Sequence, residues 1–161
     1  MATDFKSLGK NDQGALIFGV VAVILTFVGA YVSASSTVGG VKVGGENAWH
    51  GWSLFGSLLL LVALAVTIVR IFAPEQLPAG VPWNLVALAA AALGTVILIV
   101  KALTLGPPNG LAQADISSGP GWSGWILFVA ATAFTVFTAL SFRESGEKIP
   151  DLNTKNMPPA A

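Results

Sequence analysis

The stretch from Trp52 to Phe72, WSLFGSLLLLVALAVTIVRIF, decides the fold because it is an almost unbroken apolar run. At a rise of about 1.5 Å per residue, a helix of this length crosses the roughly 30 Å of hydrocarbon in a bilayer. Its single charged residue, Arg70, lies near the end of the run, where a long side chain reaches the interface. The stretch therefore predicts a transmembrane helix.

Three further apolar runs have the length of a membrane span: residues 14–33, 83–103 and 122–142. Lipid offers no water to backbone N–H and C=O groups, so spanning segments are helices or closed barrels. The four runs therefore predict an all-α fold, an integral membrane bundle of four antiparallel transmembrane helices within residues 14–142. Residues 1–13 are predicted to form a cytoplasmic N-terminal segment, and residues 143–161, which hold prolines among polar residues, a cytoplasmic flexible tail.

The composition agrees with a membrane protein and excludes several other classes. Of the 161 residues, 54% are apolar and 10% are charged, whereas an ordinary soluble domain carries about 25% charged residues. Eight basic and eight acidic side chains cancel, so no basic surface for nucleic acid is predicted. The absence of cysteine excludes disulfides and thiolate metal sites, and His50 is the only histidine. We therefore expect no metal, no cofactor and no nucleic-acid partner.

Lysine and arginine are distributed unequally between the two ends of the predicted helices. Lys42 and Lys101 lie on one side. The other six lie on the opposite side: Lys6, Lys10, Arg70, Arg143, Lys148 and Lys155. Because cytoplasmic flanks retain positive charge, the sequence predicts a multi-pass protein of the plasma (inner) membrane with both termini in the cytoplasm.

A cleaved signal peptide is the alternative interpretation of the first apolar run. Lys6 and Lys10 precede it, and small residues occur at its end, in residues 31–35. The run has about 20 residues, however, whereas the apolar core of a signal peptide has about 7 to 15. We therefore expect the first run to be retained as a span.

All five tryptophans lie near predicted helix ends. Trp prefers the membrane interface because its ring is apolar while its N–H stays hydrated. We therefore interpret them as interfacial anchors and not as a ligand cage. Trp49, Trp52, Trp122 and Trp125 would mark the outer boundary and Trp83 the inner one.

Small residues at intervals of four predict close approaches between helices. The pairs are Gly29 with Ser33 in the first run, and Ala87 with Ala91 and Ala90 with Gly94 in the third. They fit contacts within the bundle and contacts with another membrane subunit equally well.

The fourth run carries a line of hydroxyls, Thr132, Thr135 and Thr138, on one slowly drifting helix face. Threonine hydroxyls in lipid bond to a carbonyl one turn back or to a neighbouring helix. The line is therefore predicted to hold helices together. The alternative is a polar pore lining in an oligomer, although the ring of charge or carbonyls that confers selectivity is missing.

Groups able to carry chemistry are few. Glu46, His50 and Asp115 could bind a metal or act as acid and base, but they come from two separate loops, and a structural role is expected. The sequence has no nucleophile elbow and no phosphate-binding Gly-Lys-Ser motif. Residues 38–40 and 43–45 are predicted to be flexible Gly-rich turns. Because no catalytic motif is present, we expect no enzyme. A proton-coupled small multidrug transporter needs a carboxylate at mid-depth in its first helix. The first run has none, which argues against that class.

Gly51-Trp52-Ser53 and Gly121-Trp122-Ser123 stand at the start of the second and fourth runs, 70 residues apart (121 − 51). Two hairpins of the same direction would form a parallel repeat. Few other identities occur in this register, so duplication and coincidence both stay open.

A short basic N-terminus, the stretch Asn47-Ala48-Trp49-His50-Gly51-Trp52, Ala/Val/Leu-rich spans and a proline-containing tail occur together. In this combination the whole chain resembles small, poorly characterised four-span membrane proteins of actinobacteria. The resemblance implies an accessory subunit at the edge of a larger envelope assembly, such as a lipid-import permease or a respiratory supercomplex. It implies no catalytic residues.

These patterns favour a non-enzymatic accessory or scaffold subunit of a larger plasma-membrane complex. Its expected partners are membrane lipids and other integral membrane subunits. One alternative is a small oligomeric channel or carrier that uses the polar face of the fourth helix. Another is a membrane enzyme that acts on lipid headgroups through His50 and Asp115.

Overall fold

The computed structural model describes residues 5–36, 42–104 and 116–147, and this part of the chain is mostly helical. The α-helices are α1 (Lys10–Thr26), α2 (Ser53–Phe72), α3 (Trp83–Thr104) and α4 (Trp122–Ser145). The strands β1 (Val32–Ser36), β2 (Lys42–Glu46) and β3 (Ile116–Pro120) form one sheet. Single 3-10 turns cover Phe5–Ser7 and Pro74–Gln76.

Helices α2, α3 and α4 have 20, 22 and 24 residues and are long and apolar enough to cross a membrane. Helix α1 has 17 residues, which is at the lower limit of the roughly 17 to 25 residues of a membrane-spanning helix. The predicted second and third spans agree with α2 and α3 to within one residue at each end. Helix α4 continues through Ser145, so the first residues of the predicted tail are helical.

The first predicted span, residues 14–33, is divided between a helix and a strand. Helix α1 begins earlier, at Lys10, and ends at Thr26. Beyond it, Tyr31 and Val32 are buried, yet Val32 begins β1. An apolar run does not by itself distinguish a helix from a short buried strand, which is why the pattern predicted a longer helix.

The prediction of an all-α fold is incomplete, because a three-stranded antiparallel sheet lies at the end of the bundle where α1 and α3 end. We call this the sheet end. The strand order is β2-β1-β3, and Val32 lies opposite Glu46 on one side and Pro120 on the other. Two ladders satisfy backbone groups that irregular loops would leave without partners.

Residues 43–45, predicted to be a flexible turn, lie in β2, whereas residues 38–40 fall outside the described residues. Gly45 has a steric role in the strand. A Cβ at this position would lie 2.8 Å from the carbonyl oxygen of Gly29. The glycine therefore allows β2 to approach the turn that follows α1.

The interior of the bundle consists of alanines and a few large side chains. Helix α2 packs mainly on α3, and α1 mainly on α4. Leu60, Leu98, Leu127 and Phe134 are fully buried. Around them lie the buried alanines Ala15, Ala22, Ala63, Ala91 and Ala131. Small residues allow helix backbones to come close, which suits a bundle in lipid, where dispersion contacts replace the hydrophobic effect.

Candidate functional site

Polar side chains from all four helical segments meet at the end of the bundle opposite the sheet. We call the group Asp12, Arg70, Asn84, Ser141 and Glu147 the basal network. Oδ1 of Asp12 accepts hydrogen bonds from Nη2 of Arg70 at 2.5 Å and from Oγ of Ser141 at 2.9 Å. Arg70 Nη1 donates to Oδ1 of Asn84. Nδ2 of Asn84 donates to Oε1 of Glu147 at 2.7 Å. The bonds therefore connect all four helices and the turn after α4.

Glu147 caps the N-terminus of α3. Its Oε2 accepts hydrogen bonds from the backbone amides of Asn84 at 3.0 Å and Leu85 at 3.2 Å. The first amides of a helix have no intrahelical partner and form the positive end of the helix dipole, so a carboxylate is favourable there. Pro82 precedes α3 where a Ser, Thr or Asp cap would often stand. The cap comes instead from a residue placed by sequence analysis in the flexible tail.

The ion pair of the basal network is partly buried, since the side chains of Arg70 and Asp12 are 16% and 30% exposed. Arg70 Nε is buried and has no hydrogen-bond partner among the described residues. Loss of one partner would leave the other charge poorly solvated. The pair therefore contributes more to stability than an ion pair on an open surface. The sequence does hold a signal for this pair, opposite charges at the same end of two antiparallel runs, but sequence analysis did not single it out.

The basal network is arranged to join helices. Its carboxylates both accept hydrogen bonds from donors on other segments. Asn11 adds a similar link, because its Nδ2 donates to Oε1 of Glu144 at 2.6 Å. Within residues 5–36, 42–104 and 116–147, no group of three His, Cys, Asp or Glu side chains could hold a metal ion.

The predicted hydroxyl line on α4 mostly faces the bundle interior. Thr138 is buried and donates to carbonyl oxygens of its own helix at 2.8 and 3.1 Å. Oγ1 of Thr135 donates to the Ala131 carbonyl at 2.9 Å and lies 3.1 Å from Oγ1 of Thr95 on α3. Thr132 is exposed. Two of the three hydroxyls are therefore used within the bundle.

The four small residues predicted to lie at helix contacts in α3, Ala87, Ala90, Ala91 and Gly94, are all buried. At Gly94 a Cβ would lie 2.9 Å from the carbonyl oxygen of Gly56 on α2. Sequence analysis did not single out Gly56, although it opposes Gly94 where α2 and α3 lie close together.

The predicted pair of Gly29 and Ser33 is not a helix contact. Both residues lie beyond the end of α1, and Ser33 belongs to β1. Gly29 is exposed, and a Cβ there would meet no atom within 4 Å. Small residues four positions apart lie on the same face only in a helix, and α1 ends before Gly29.

Trp49 and Tyr31 attach the segment between α1 and α2 to the bundle. Nε1 of Trp49 donates to Oγ1 of Thr26 at 2.9 Å, and its ring stacks on Phe27 with centroids 4.9 Å apart. The hydroxyl of Tyr31, a fully buried side chain, donates to the carbonyl of Leu98 at 2.6 Å. Trp49 thus makes specific contacts inside the protein in addition to any interfacial role.

The other predicted anchors lie at the surface near helix ends. Trp52, Trp122 and Trp125 are 75%, 59% and 57% exposed and lie toward the sheet end. Trp83 begins α3 at the opposite end, and its Nε1 donates to the carbonyl of Pro78 at 3.1 Å. Their role as interfacial anchors stays a prediction.

Of the candidates for acid–base or metal chemistry, the described residues include Glu46 and His50. Nδ1 of His50 lies 2.8 Å from Oδ1 of Asn47 in the same turn. Glu46 ends β2, and Asp115 lies outside the described residues.

The two Gly-Trp-Ser segments begin α2 and α4 with different backbone geometry. Gly51 has a φ of +56°, whereas Gly121 has a φ of −77°. Oγ of Ser53 donates to the carbonyl of His50 at 2.5 Å. Oγ of Ser123 is buried and has no hydrogen-bond partner in the described part of the chain. The two segments are therefore not equivalent in their local contacts.

One lateral face of the bundle has a shallow depression. We call it the α4 groove, an open depression of about 520 Å³ whose wall includes Trp125, Val129, Thr132 and Val136. Val129 and Val136 are 69% and 50% exposed. The groove therefore presents apolar side chains and one threonine hydroxyl to whatever surrounds the helices.

Comparison of the chain with protein-family models, with curated proteins and with solved structures found no match. The class of the protein therefore rests on its own fold. It is a mostly helical protein with three described helices long and apolar enough to cross a membrane, and with a small sheet at one end.

Proposed function

We propose that the protein is a non-enzymatic accessory or scaffold subunit of a larger plasma-membrane complex, such as a lipid-transport permease or a respiratory assembly. In this proposal α1 also crosses the bilayer, and both termini lie in the cytoplasm. The partners are other integral membrane subunits. The observation that carries the proposal is the α4 groove, an apolar face that the bundle itself leaves open.

The contacts inside the bundle support this function. The basal network and the hydroxyls of Thr135 and Thr138 bond between or within the helices. The bonds that join different segments, namely those of the basal network and the contact of Thr135 with Thr95, hold the helices in position relative to one another, whereas Thr138 bonds within α4. A rigid bundle with an unfilled lateral face suits a scaffold, which presents one fixed surface to its partner.

The shape and chemistry of the α4 groove fit a helix of another membrane subunit. Side-chain ridges of one helix fit grooves of another, with axes about 8–10 Å apart. The exposed hydroxyl of Thr132 would gain a partner on a neighbouring helix, a bond that contributes about 0.6 kcal/mol in membranes. Val129 and Val136 would supply the apolar contact on either side of it.

Affinity purification of the tagged protein from its own membranes in mild detergent, followed by native mass spectrometry, tests the proposal. The wild-type protein is expected to be recovered with a larger membrane complex in fixed stoichiometry. Val129→Trp and Val136→Trp, which fill the α4 groove, should lower recovery of the partner about tenfold, because overpacking a contact costs about 1–3 kcal/mol.

Val62→Trp is the matched control, since Val62 is 45% exposed on α2, away from the α4 groove. It should retain the partner. Recovery of the protein as a homo-oligomer alone, or equal recovery of the partner by all three variants, would contradict the proposal.

The geometry gives less support to an oligomeric channel or carrier, because Thr135 and Thr138 direct their hydroxyls to carbonyls of their own helix. Thr135→Leu separates the two functions. Unchanged assembly and unchanged growth fit the accessory subunit, whereas loss of solute flux in a fully assembled variant would favour the carrier.

A further inference from the structure

A second groove lies at the sheet end, between the start of α2 and the last turns of α3. We call it the α3 groove. Its volume is about 410 Å³, and it is lined by Trp52, Val96, Ile97, Val100, Lys101 and Thr104. From residue 96 to residue 104 a helix rises about 12 Å. The groove therefore extends from the predicted membrane boundary into the depth of one leaflet, which is about 15 Å of hydrocarbon.

The walls of the α3 groove are apolar and open to the side. Val96 and Val100 are 56% and 51% exposed and lie one turn apart on α3. Trp52, which is 75% exposed, stands at the end of the groove nearest the sheet. Such a surface accepts a hydrocarbon chain lying along the helix, with the indole at the headgroup boundary.

Lys101 places a cation at the rim of the same groove. A Cβ at Gly51 would lie 3.8 Å from its Nζ, so the ammonium group is beside the turn that precedes α2. The salt bridge found in the described residues joins Arg70 and Asp12 at the other end of the bundle. Within those residues, Lys101 has no carboxylate partner, and its charge is available to an anion.

We propose that the α3 groove binds an anionic phospholipid from the leaflet on the sheet side. The phosphate group lies at the ammonium of Lys101, and one acyl chain lies along Val96 and Val100. Charge complementarity selects this ligand, because basic side chains at the membrane surface attract anionic headgroups. The choline of a zwitterionic lipid would instead bring a like charge toward Lys101. This site goes beyond the proposed function, since it requires no protein partner.

Native mass spectrometry of the delipidated full-length protein tests the site with two probes, phosphatidylglycerol and phosphatidylcholine carrying identical acyl chains. The wild-type protein is expected to bind one phosphatidylglycerol about fivefold more tightly than phosphatidylcholine. Lys101→Gln should abolish this preference, and Lys101→Arg should keep it. Lys10→Gln, which removes an exposed lysine at the opposite end, is the matched control and should also keep it.

Val100→Trp tests the apolar part of the site, because it fills the groove without changing charge. It should weaken binding of both lipids, with unfolding temperature as the check that the variant is folded. Equal affinity of the wild type for the two lipids would overturn the proposal. An unchanged preference in Lys101→Gln, or full lipid binding by folded Val100→Trp, would do the same. If the Lys101→Gln variant keeps its lipid preference but no longer co-purifies with another subunit, the α3 groove binds a protein and not a lipid.

Discussion

Arg70 is the middle residue of the basal network, since it bonds to Asp12 on α1 and to Asn84 on α3. Arg70→Ala should lower the free energy of unfolding by about 1–3 kcal/mol, because a partly buried carboxylate then loses its cation. Thermal unfolding in detergent, followed by circular dichroism, measures the change.

Arg143→Ala is the control for this variant. Arg70 and Arg143 are each the basic residue in the last turn of their helix, so the effect of the helix dipole is similar at both. Arg143 is exposed, and its loss should change stability by less than about 0.5 kcal/mol. Equal unfolding temperatures for the two variants would show that the basal network does not stabilise the bundle.

Of the basal network, sequence reasoning singled out Arg70 and did not predict its partners. Arg70 was placed at a helix end, where its long side chain was expected to reach the interface alone. Its partner Asp12 is 58 residues earlier and lay outside the predicted span. Hydropathy locates spans, but it does not specify which polar side chains at their ends will be neighbours.

Among the helices, the contact of α2 with α3 depends on two opposed glycines. Gly94→Ala should destabilise the bundle by about 1–3 kcal/mol, because the new methyl group would press on the Gly56 carbonyl and force the helices apart. Gly29→Ala, at the predicted pair that lies outside a helix, should have little effect, since a Cβ there meets no atom within 4 Å. Urea or thermal unfolding in detergent compares the two, and equal losses would contradict the close approach.

The elements differ in how well the sequence predicted them. The apolar runs predicted the boundaries of α2 and α3 within one residue because the charged residues of these helices lie only near their ends and tryptophan or proline stands beside them. The sheet was missed because its strands are short and rich in Ser and Gly, which favour turns in isolation. Gly45 illustrates the difficulty. Its function depends on the position of Gly29, a neighbour that no local pattern specifies.

For the whole molecule, the proposed topology places both ends of the chain and the α2–α3 connection on the cytoplasmic side. The protein has no cysteine, so single cysteines introduced by Gly9→Cys, Glu75→Cys and Thr104→Cys can be labelled without background. In intact cells a membrane-impermeant maleimide should label Thr104→Cys and leave Gly9→Cys and Glu75→Cys unlabelled until the membrane is opened.

Gly9→Cys decides whether the 17-residue α1 crosses the bilayer. Labelling of Gly9→Cys together with Thr104→Cys in intact cells would mean that it does not, and only α2, α3 and α4 would span. Labelling of Glu75→Cys in intact cells would instead reverse the orientation of the whole bundle.

The cap on α3 has a consequence for the order in which the chain is made. Glu147 lies 63 residues after Asn84, so a ribosome delivers α3 to the membrane long before its carboxylate partner exists. During that interval the first amides of α3 lack the Glu147 carboxylate as hydrogen-bond acceptor, and Asp12 lacks the hydroxyl of Ser141 as donor. Completion of synthesis through α4 supplies both at once. A nascent or prematurely ended chain therefore leaves the first amides of α3 without their carboxylate cap and Asp12 without one of its two hydrogen-bond donors.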